Sequence, residues 1–202
     1  MGGQQFCDGG VMLDTRPLAR VLHFDSAAGT IEVEAGMMWP ALLAYLQEAQ
    51  AGRSHAWGIA QKQTGADRLS LGGAVAANAH GRGLAMAPIV GDIEALTLVG
   101  ADGEPRRCSR EENAELFRLV LGGYGLFGVV YSVTLRLAPL RKLERVVEVR
   151  SLDGIPAAFD SRIAAGFLYG DFQFAVDPAS PGFLNDGVFS CYRPVADDTP
   201  IP

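Results

Sequence analysis

The sequence predicts an α+β fold that combines half-solvated strands with amphipathic helices. Two stretches, Thr30–Ala35 and Asp92–Val99, alternate apolar and polar residues with the period of two that is typical of such strands. Between them, Trp39–Gln50 places its leucines at the spacing of one helix face. The composition of the 202 residues, 49% hydrophobic and 20% charged, is that of an ordinary globular protein.

The first third of the chain contains short strands and one helix. Val11–Asp14 is predicted as a strand, and Leu22–Asp25 with Thr30–Ala35 as a hairpin around Ser26–Gly29. The helix that follows has Pro40 in its first turn, where proline is tolerated, and its apolar face carries Leu42, Leu43 and Leu46. In the next loop we expect His55 and Trp57 to serve packing, although both could line a pocket.

A second hairpin and a second helix follow residue 92. Turn chemistry in Gly100–Glu104 joins the strand Asp92–Val99 to Arg106–Cys108. Ser109, with Glu112 three residues later, is a predicted helix cap, and the helix runs over Asn113–Leu121. The β-rich run Val129–Leu137 closes this part of the chain.

The composition changes after Pro139. A charged connector at Arg141–Arg145 leads to a predicted strand at Val146–Arg150 and a helix at Ile155–Ala165. Two aromatic strands follow, Phe172–Val176 and Gly187–Tyr192. We therefore expect the start of a second α+β domain. Its aromatic strands could face a substrate, but we expect them to face the remainder of their own core, outside this chain.

The segment Gln63–Gly83 concentrates five glycines, two hydroxyls, an asparagine and His80 around one apolar run. Glycines let consecutive backbone amides approach an anion, because no Cβ blocks the way. This segment therefore predicts a diphosphate cradle. A purely structural alternative is that Leu71–Ala77 forms a short buried helix and that His80 is a core histidine.

The run Gly123–Gly128 matches the G-x-G-x-x-G pattern of nicotinamide dinucleotide sites. That site requires a strand before the glycines and a helix after them. Here a predicted helix precedes the glycines and a strand follows, so we reject a Rossmann site.

Charge and cysteine content narrow the range of functions. A net charge of -6 and a pI near 5.0 argue against a nucleic-acid partner. Three cysteines at wide spacing, Cys7, Cys108 and Cys191, indicate neither disulfides nor a metal site. No membrane span or targeting signal is visible, which predicts a cytoplasmic protein with small-molecule partners.

Four segments resemble, in order, the vanillyl-alcohol-oxidase type of FAD-linked oxidoreductases, which includes sugar and alditol oxidases, cytokinin dehydrogenases and decaprenylphosphoryl-ribose oxidase. The matching segments are Met1–Phe6, Val11–Leu18, Ser70–Gly81 and Gly122–Val130. The resemblance implies a PCMH-type FAD-binding domain, with a mixed or antiparallel sheet flanked by helices, over residues 1–139. Residues 140–202 would begin an α+β substrate domain. Since the family has further sequence at both ends, we expect this chain to be an internal piece of a longer protein.

By the same resemblance, FAD would be held by backbone and small side chains from three segments. The implied cofactor-binding residues are Met1, Gly2, Gly3, Gln4, Gly65, Ala66, Ser70, Gly72, Gly73, Asn78, Ala79, His80, Gly81, Gly125 and Val130. The catalytic residues are unknown and would lie beyond Pro202. The covalent or non-covalent attachment of FAD is left open, since the relevant part of the first loop would precede Met1.

The resemblance implies an FAD-dependent oxidase or dehydrogenase whose flavin accepts a hydride from a CH–OH group of an alcohol or sugar-like substrate. The electron acceptor, oxygen or another, stays open. The alternative is a degenerate or truncated relative that binds no flavin and acts as an interaction module.

Overall fold

The computed structural model describes residues 8–63 and 65–201 and divides the chain into two compact units. The first unit holds the chain through Gly81 together with Ala87–Leu140. The second unit holds Arg82–Met86 together with the chain from Arg141 onward. In the described part of the chain, no helix has both the length and the apolar character needed to cross a membrane.

The first unit is a five-stranded antiparallel sheet with three helices. Its elements are β1 (Val21–Asp25), β2 (Thr30–Glu34), α1 (Trp39–Ala49), β3 (Trp57–Gly58), α2 (Leu71–Ala76), a 3₁₀ turn (Ile89–Asp92), β4 (Ile93–Val99), β5 (Pro105–Ser109), α3 (Ala114–Val120), β6 (Val129–Arg136) and β7 (Ala138–Pro139). The strand order is β1-β2-β6-β4-β5, and β3 pairs separately with β7. The predicted sheet architecture is therefore confirmed.

The core of this unit lies between the sheet and the helices. Alternate residues of β2, Ile31 and Val33, are fully buried, as the period of two predicts. Full burial of an aliphatic side chain of this kind contributes about 1.5–3 kcal/mol. Helix α1 adds the buried Trp39, Leu42 and Leu46.

Two sequence expectations for this unit are wrong. Leu43 is 41% exposed, because it lies about 100° around the helix from Leu42 and so leaves the buried face. Val11–Asp14 forms no strand among the described residues, and Val11 is 92% exposed. The apolar run resembled a strand, but no neighbouring strand pairs with it there.

Ser109 caps a turn and not the helix that follows. Its hydroxyl oxygen accepts the amides of Glu111 and Glu112, at 3.1 and 3.0 Å. Helix α3 begins later, at Ala114, after Asn113 in a left-handed conformation. The expected cap chemistry is present, but it ends β5 rather than starting α3.

The packing role expected for Trp57 is confirmed. Its indole Nε1 donates to the carbonyl oxygen of Ser26 at 2.8 Å. Its ring lies against Gly29, where an added Cβ would come within 2.8 Å of the ring. Trp57 thus connects the loop after α1 to the turn between β1 and β2, through one hydrogen bond and one packing contact.

The second unit is a three-stranded antiparallel sheet with one helix. Its elements are β8 (Leu143–Ser151), α4 (Ile155–Ala164), β9 (Tyr169–Phe174) and β10 (Asp186–Pro194), in the sheet order β8-β10-β9. Phe159 of α4 packs edge-on against Phe189 of β10, with ring centroids 4.9 Å apart. Ile155, Phe167 and Cys191 are the other buried members of this cluster, and Phe172 of β9 packs against it. Phe189 and Phe172 of the predicted aromatic strands therefore serve the unit's own core, whereas Phe174 is 42% exposed.

Candidate functional site

A cavity of about 420 Å³ opens beside α2 in the first unit. Its lining comes from widely separated parts of the chain and consists of Thr15, Ala35, Ser70, Gly72, Gly73, Ala76, Val120, Gly125, Phe127, Gly128, Val129 and Val130. The volume is within the range of small-molecule sites. None of the described lining residues is charged, so the polar groups that these residues offer a ligand are hydroxyls and backbone.

Ser70 begins one wall of the cavity as the N-cap of α2. Its backbone is extended, with ψ at 152°, and its Oγ accepts the amide of Gly73 at 3.2 Å. An oxygen that accepts through a lone pair keeps its own hydrogen for a second partner. The Ser70 hydroxyl can therefore cap the helix and donate to a ligand at the same time.

Gly72 lets α2 approach the end of β2 closely. Its amide donates to the carbonyl oxygen of Ala35 at 2.7 Å. A Cβ at this position would lie 3.0 Å from the Cβ of Ala35, tighter than ordinary van der Waals contact. The amides of Gly72 and Gly73 are thus both used within the protein, and these residues border the cavity chiefly as surfaces without side chains.

A glycine turn, residues 122–128, contributes Gly125, Phe127 and Gly128 to the cavity lining. It is bonded to α2, because the amides of Gly122 and Tyr124 donate to the carbonyls of Val75 and Ala76, each at 3.0 Å. The turn follows α3 and precedes β6. This order confirms the rejection of a Rossmann site.

The glycines of this turn have different physical roles. At Gly128, φ is +137° and a Cβ would lie 2.5 Å from the carbonyl oxygen of Val99, so the fold itself requires glycine. At Gly125, φ is +81° but a Cβ would meet no protein atom within 4 Å. The space beside Gly125 is therefore open to a ligand.

Three amides of the turn are available to such a ligand. Within the described residues, the amides of Gly125, Phe127 and Gly128 form no backbone hydrogen bond, whereas that of Leu126 donates to Gly123 at 3.0 Å. Gly125 and Phe127 are exposed and Gly128 is half-buried, so water or a ligand can accept these amides. Beside the Ser70 hydroxyl, they suit a ligand that is rich in acceptor oxygens.

One buried carboxylate lies behind the cavity wall. Glu34, at the end of β2, has no exposed surface and accepts the guanidinium of Arg20 at 2.7 Å. Its other oxygen accepts the amide of Arg20 at 2.8 Å. These hydrogen bonds lower the pKa of Glu34, so the carboxylate is charged near neutral pH.

Five sequence-predicted cofactor residues come together at this cavity: Ser70, Gly72, Gly73, Gly125 and Val130. Met1, Gly2, Gly3 and Gln4 lie outside the described residues. Gly65 and Ala66 are exposed, and Gly65 has φ of +76°. Neither lines the cavity.

The remaining predicted residues, Asn78 to Gly81, follow α2 and do not line the cavity. The Asn78 side-chain oxygen accepts the amide of Val90 at 3.3 Å, and the carbonyl of the buried Ala79 accepts that of Ile89 at 2.8 Å. The Gly81 amide donates to Gln61 at 3.2 Å. His80 is exposed, so it is not a core histidine. The cofactor roles of these four residues stay predictions.

Several lining residues were not expected from the sequence. They are Thr15, Ala35, Ala76, Val120, Phe127, Gly128 and Val129. Ala76, Gly128 and Val129 lie inside segments that resemble the family, so the predicted cofactor residues beside them indicated this part of the site. Thr15 lies inside the matching segment Val11–Leu18 but was given no role there, whereas Ala35 lies in none of the matching segments.

Neither described cysteine is a reactive thiol at the cavity. Cys108 and Cys191 are free and fully buried, and burial raises the pKa of each thiol. A raised pKa leaves less of the nucleophilic thiolate. Across residues 8–63 and 65–201, no group of His, Cys, Asp and Glu side chains is arranged to hold a metal ion.

Comparison with known proteins connects this geometry to a family. The sequence profile described as "FAD binding domain" matches residues 1–109, which include the Ser70 and Gly72 wall of the cavity. The chain is 34% identical over 146 residues to L-gulono-1,4-lactone dehydrogenase of Mycobacterium tuberculosis, covering 72% of this chain and 32% of that protein.

Two further relatives have similar coverage. The chain is 30% identical over 134 residues to L-gulonolactone oxidase of Mus musculus, covering 66% of this chain and 29% of the relative. It is 30% identical over 156 residues to cytokinin dehydrogenase 7 of Oryza sativa subsp. japonica, covering 75% and 28%. The chain thus spans about a third or less of the length of these curated relatives.

Proposed function

Since this chain belongs to the PCMH-type family of FAD-binding domains, with FAD as its cofactor, we propose that the cavity between α2 and the glycine turn holds part of that cofactor. The complete protein would be an FAD-dependent oxidoreductase. Residues 1–139 would form the FAD-binding domain, and residues 140–202 would begin the substrate domain.

The observation that carries this proposal is the convergence of two glycine-containing walls on one cavity. The residues present fit FAD, because Gly125 leaves open space where a Cβ would project and three nearby amides form no backbone hydrogen bond in the described structure. The Ser70 hydroxyl adds a donor on the other wall. Neutral donors of this kind bind phosphate oxygens without a basic side chain.

The roles proposed for individual residues follow from these contacts. Ser70 and the amides of Gly125, Phe127 and Gly128 would bind cofactor oxygens, and Val130 would contact an apolar part. When bound, FAD supplies the acceptor for the two electrons and the hydrogen taken from the donor. This chain would hold and orient the cofactor, while the catalytic side chains are unassigned.

We propose an alcohol or sugar-like donor that is oxidised at a CH–OH group. The similarity to proteins named L-gulono-1,4-lactone dehydrogenase and L-gulonolactone oxidase supports this class, since a gulonolactone carries several hydroxyls. The electron acceptor would be oxygen or another small oxidant.

Anaerobic reduction of the complete FAD-loaded protein, with its substrate domain, tests this proposal. The visible flavin absorption band would be recorded after addition of alcohols, sugars and sugar lactones, with dithionite as the positive control. We expect at least one CH–OH donor to bleach the band and to yield the matching carbonyl product. A band that only dithionite bleaches would contradict the proposed donor class, and a protein that takes up no FAD would contradict the cofactor site.

A further inference from the structure

Thr15 lines the cavity although it lies far along the chain from both glycine segments. Its carbonyl oxygen accepts the amide of Leu18 at 2.9 Å, which closes a tight turn. Within residues 8–63 and 65–201, its hydroxyl forms no hydrogen bond. The half-buried hydroxyl of Thr15 therefore has an unused hydrogen-bond donor beside the cavity.

The backbone just after the Thr15 turn is bound to the end of β2 through Arg20 and Glu34. The amide of Arg20 donates to Glu34 Oε2 at 2.8 Å, and the amide of Glu34 donates back to the carbonyl of Arg20 at 2.9 Å. The Arg20 guanidinium adds two bonds to Oε1, at 3.1 and 2.7 Å. The backbone five residues after Thr15 is thus fixed by one buried carboxylate.

The same carboxylate reaches a second wall of the cavity. The Tyr131 hydroxyl donates to Glu34 Oε1 at 3.3 Å, and the Tyr131 carbonyl accepts the amide of Ala35 at 2.8 Å. Tyr131 directly follows Val129 and Val130, which line the cavity. Glu34 therefore joins Arg20, five residues after Thr15, to the end of β2 and the start of β6.

Gly36 allows the Thr15 turn to pack closely against the residues that follow β2. A Cβ at Gly36 would lie 1.9 Å from the carbonyl oxygen of Thr15 and 2.6 Å from that of Leu18. The turn therefore packs directly on the backbone of Gly36. The Gly36 contact thus places the turn that holds Thr15, and the hydrogen bonds of Glu34 fix the backbone that follows it.

We propose that Thr15 is a cofactor-contact residue, donating its hydroxyl to an oxygen of FAD, and that Glu34 is its positioning residue. The inference rests on the proposed function, since it requires FAD in the cavity. It assigns a contact from outside the glycine segments, and it gives the buried carboxylate a role in ligand binding.

Equilibrium titration of the full chain with FAD, followed by flavin fluorescence, tests the contact. We expect Thr15→Val to raise the Kd about tenfold, because a hydroxyl that binds a charged acceptor is lost. Thr15→Ser keeps the hydroxyl and is expected to stay within about twofold of the unsubstituted chain. Asp14→Asn, which changes the neighbouring exposed ion pair with Arg16, is the control for disturbance of the turn.

The positioning role is tested with Glu34→Gln and a matched control on the same strand, Glu32→Gln. Glu32 accepts the hydroxyl of Ser132 at 2.8 Å and makes no contact with Arg20 in the described structure. We expect Glu34→Gln to weaken FAD binding several-fold and Glu32→Gln to leave it unchanged. The double variant Thr15→Val, Glu34→Gln should bind little worse than Thr15→Val alone, because both changes act through one hydroxyl.

The outcomes separate this inference from the proposed function. Saturable FAD binding by the unsubstituted chain, with equal Kd for Thr15→Val, overturns the inference alone. Additive losses in the double variant overturn the positioning role of Glu34. Should Glu34→Gln unfold by near-ultraviolet circular dichroism, the Thr15→Val and Thr15→Ser comparison still decides the contact. A chain that binds no FAD contradicts the proposed function and the inference together.

Discussion

The amide of Gly72 donates to the carbonyl oxygen of Ala35 at 2.7 Å, and this bond joins the first turn of α2 to the residue after β2. Both residues line the same cavity. The close contact exists because Gly72 has no side chain: its Cβ would lie 3.1 Å from that carbonyl oxygen and 3.0 Å from the Ala35 Cβ. The shape of the site thus depends on one missing methyl group.

Gly72→Val is therefore expected to destabilise the protein. Forcing a branched side chain against Ala35 is an overpacking change, and we expect a loss of about 2 kcal/mol in the free energy of unfolding. Urea denaturation followed by circular dichroism measures it. Gly73→Ala is the control, because its Cβ would meet only the Ser70 Oγ, at 3.2 Å. A loss for Gly73→Ala as large as for Gly72→Val would contradict this account.

Substitution by alanine should reduce the stability of the protein more at Gly128 than at Gly125, the two turn glycines that line the cavity. Gly128→Ala would strain φ and clash with Val99, so we expect about 3 kcal/mol of destabilisation in urea unfolding. Gly125→Ala would meet no protein atom and should cost only about 1 kcal/mol for its left-handed φ. The Cβ of Gly125→Ala would project into the proposed ligand space. The loss in free energy of FAD binding should therefore exceed the loss in free energy of unfolding. Equal stability losses for the two variants would show that the distinction is wrong.

Ser70→Ala removes the N-cap of α2. We expect the free energy of unfolding to fall by about 1 kcal/mol, since the Gly73 amide loses its acceptor. Ser70→Thr retains an acceptor and should lose less. Chemical denaturation of both variants in the absence of FAD separates capping from ligand binding. An unchanged stability for Ser70→Ala would mean that the capping bond contributes nothing.

Glu34 should make stability depend on acid pH. The hydrogen bonds from Arg20 lower the pKa of Glu34 below its ordinary value of 4.5, and the Tyr131 hydroxyl acts in the same direction. A group with a lowered folded-state pKa stabilises the fold above its unfolded pKa, and this contribution is lost as the pH falls through the folded pKa. The difference in free energy of unfolding between the unsubstituted chain and Glu34→Gln should therefore shrink as the pH falls below 4.5. Denaturant titrations across that range measure it, and a constant difference would contradict the charged state of Glu34.

Local chemistry predicted much of the fold. The alternation in β2 and β4, the proline-initiated α1 and the order of helix, glycine turn and strand could each be predicted from short windows of sequence. Val11–Asp14 shows the limit of this approach: its apolar run suits a strand, but a strand also needs a partner, and none pairs with it in the described chain. Pairing depends on distant residues that a local pattern does not contain.

The residues of the candidate site likewise fall into those that the local sequence indicates and those that depend on distant contacts. Ser70, Gly72 and Gly73 were predictable because capping and glycine chemistry are local, and all three line the cavity. Thr15 lies in the matching segment Val11–Leu18, but its place at the cavity was not predictable, because it depends on packing against the distant Gly36. Ala35 was not predictable either, because only its contact with Gly72 of α2 shows that it borders the site. The roles of residues 65, 66 and 78–81 remain predictions, as does the division into cofactor and substrate domains.

The most direct test of the account is FAD binding to a chain whose cavity has been filled. Ala76 lines the cavity from α2, whereas the next residue, Ala77, does not. The account predicts that Ala76→Leu lowers FAD affinity by at least about tenfold, since the added side chain occupies ligand space, and that Ala77→Leu binds as the unsubstituted chain does. Equal, undiminished FAD affinity in both variants would show that the cofactor does not occupy this cavity.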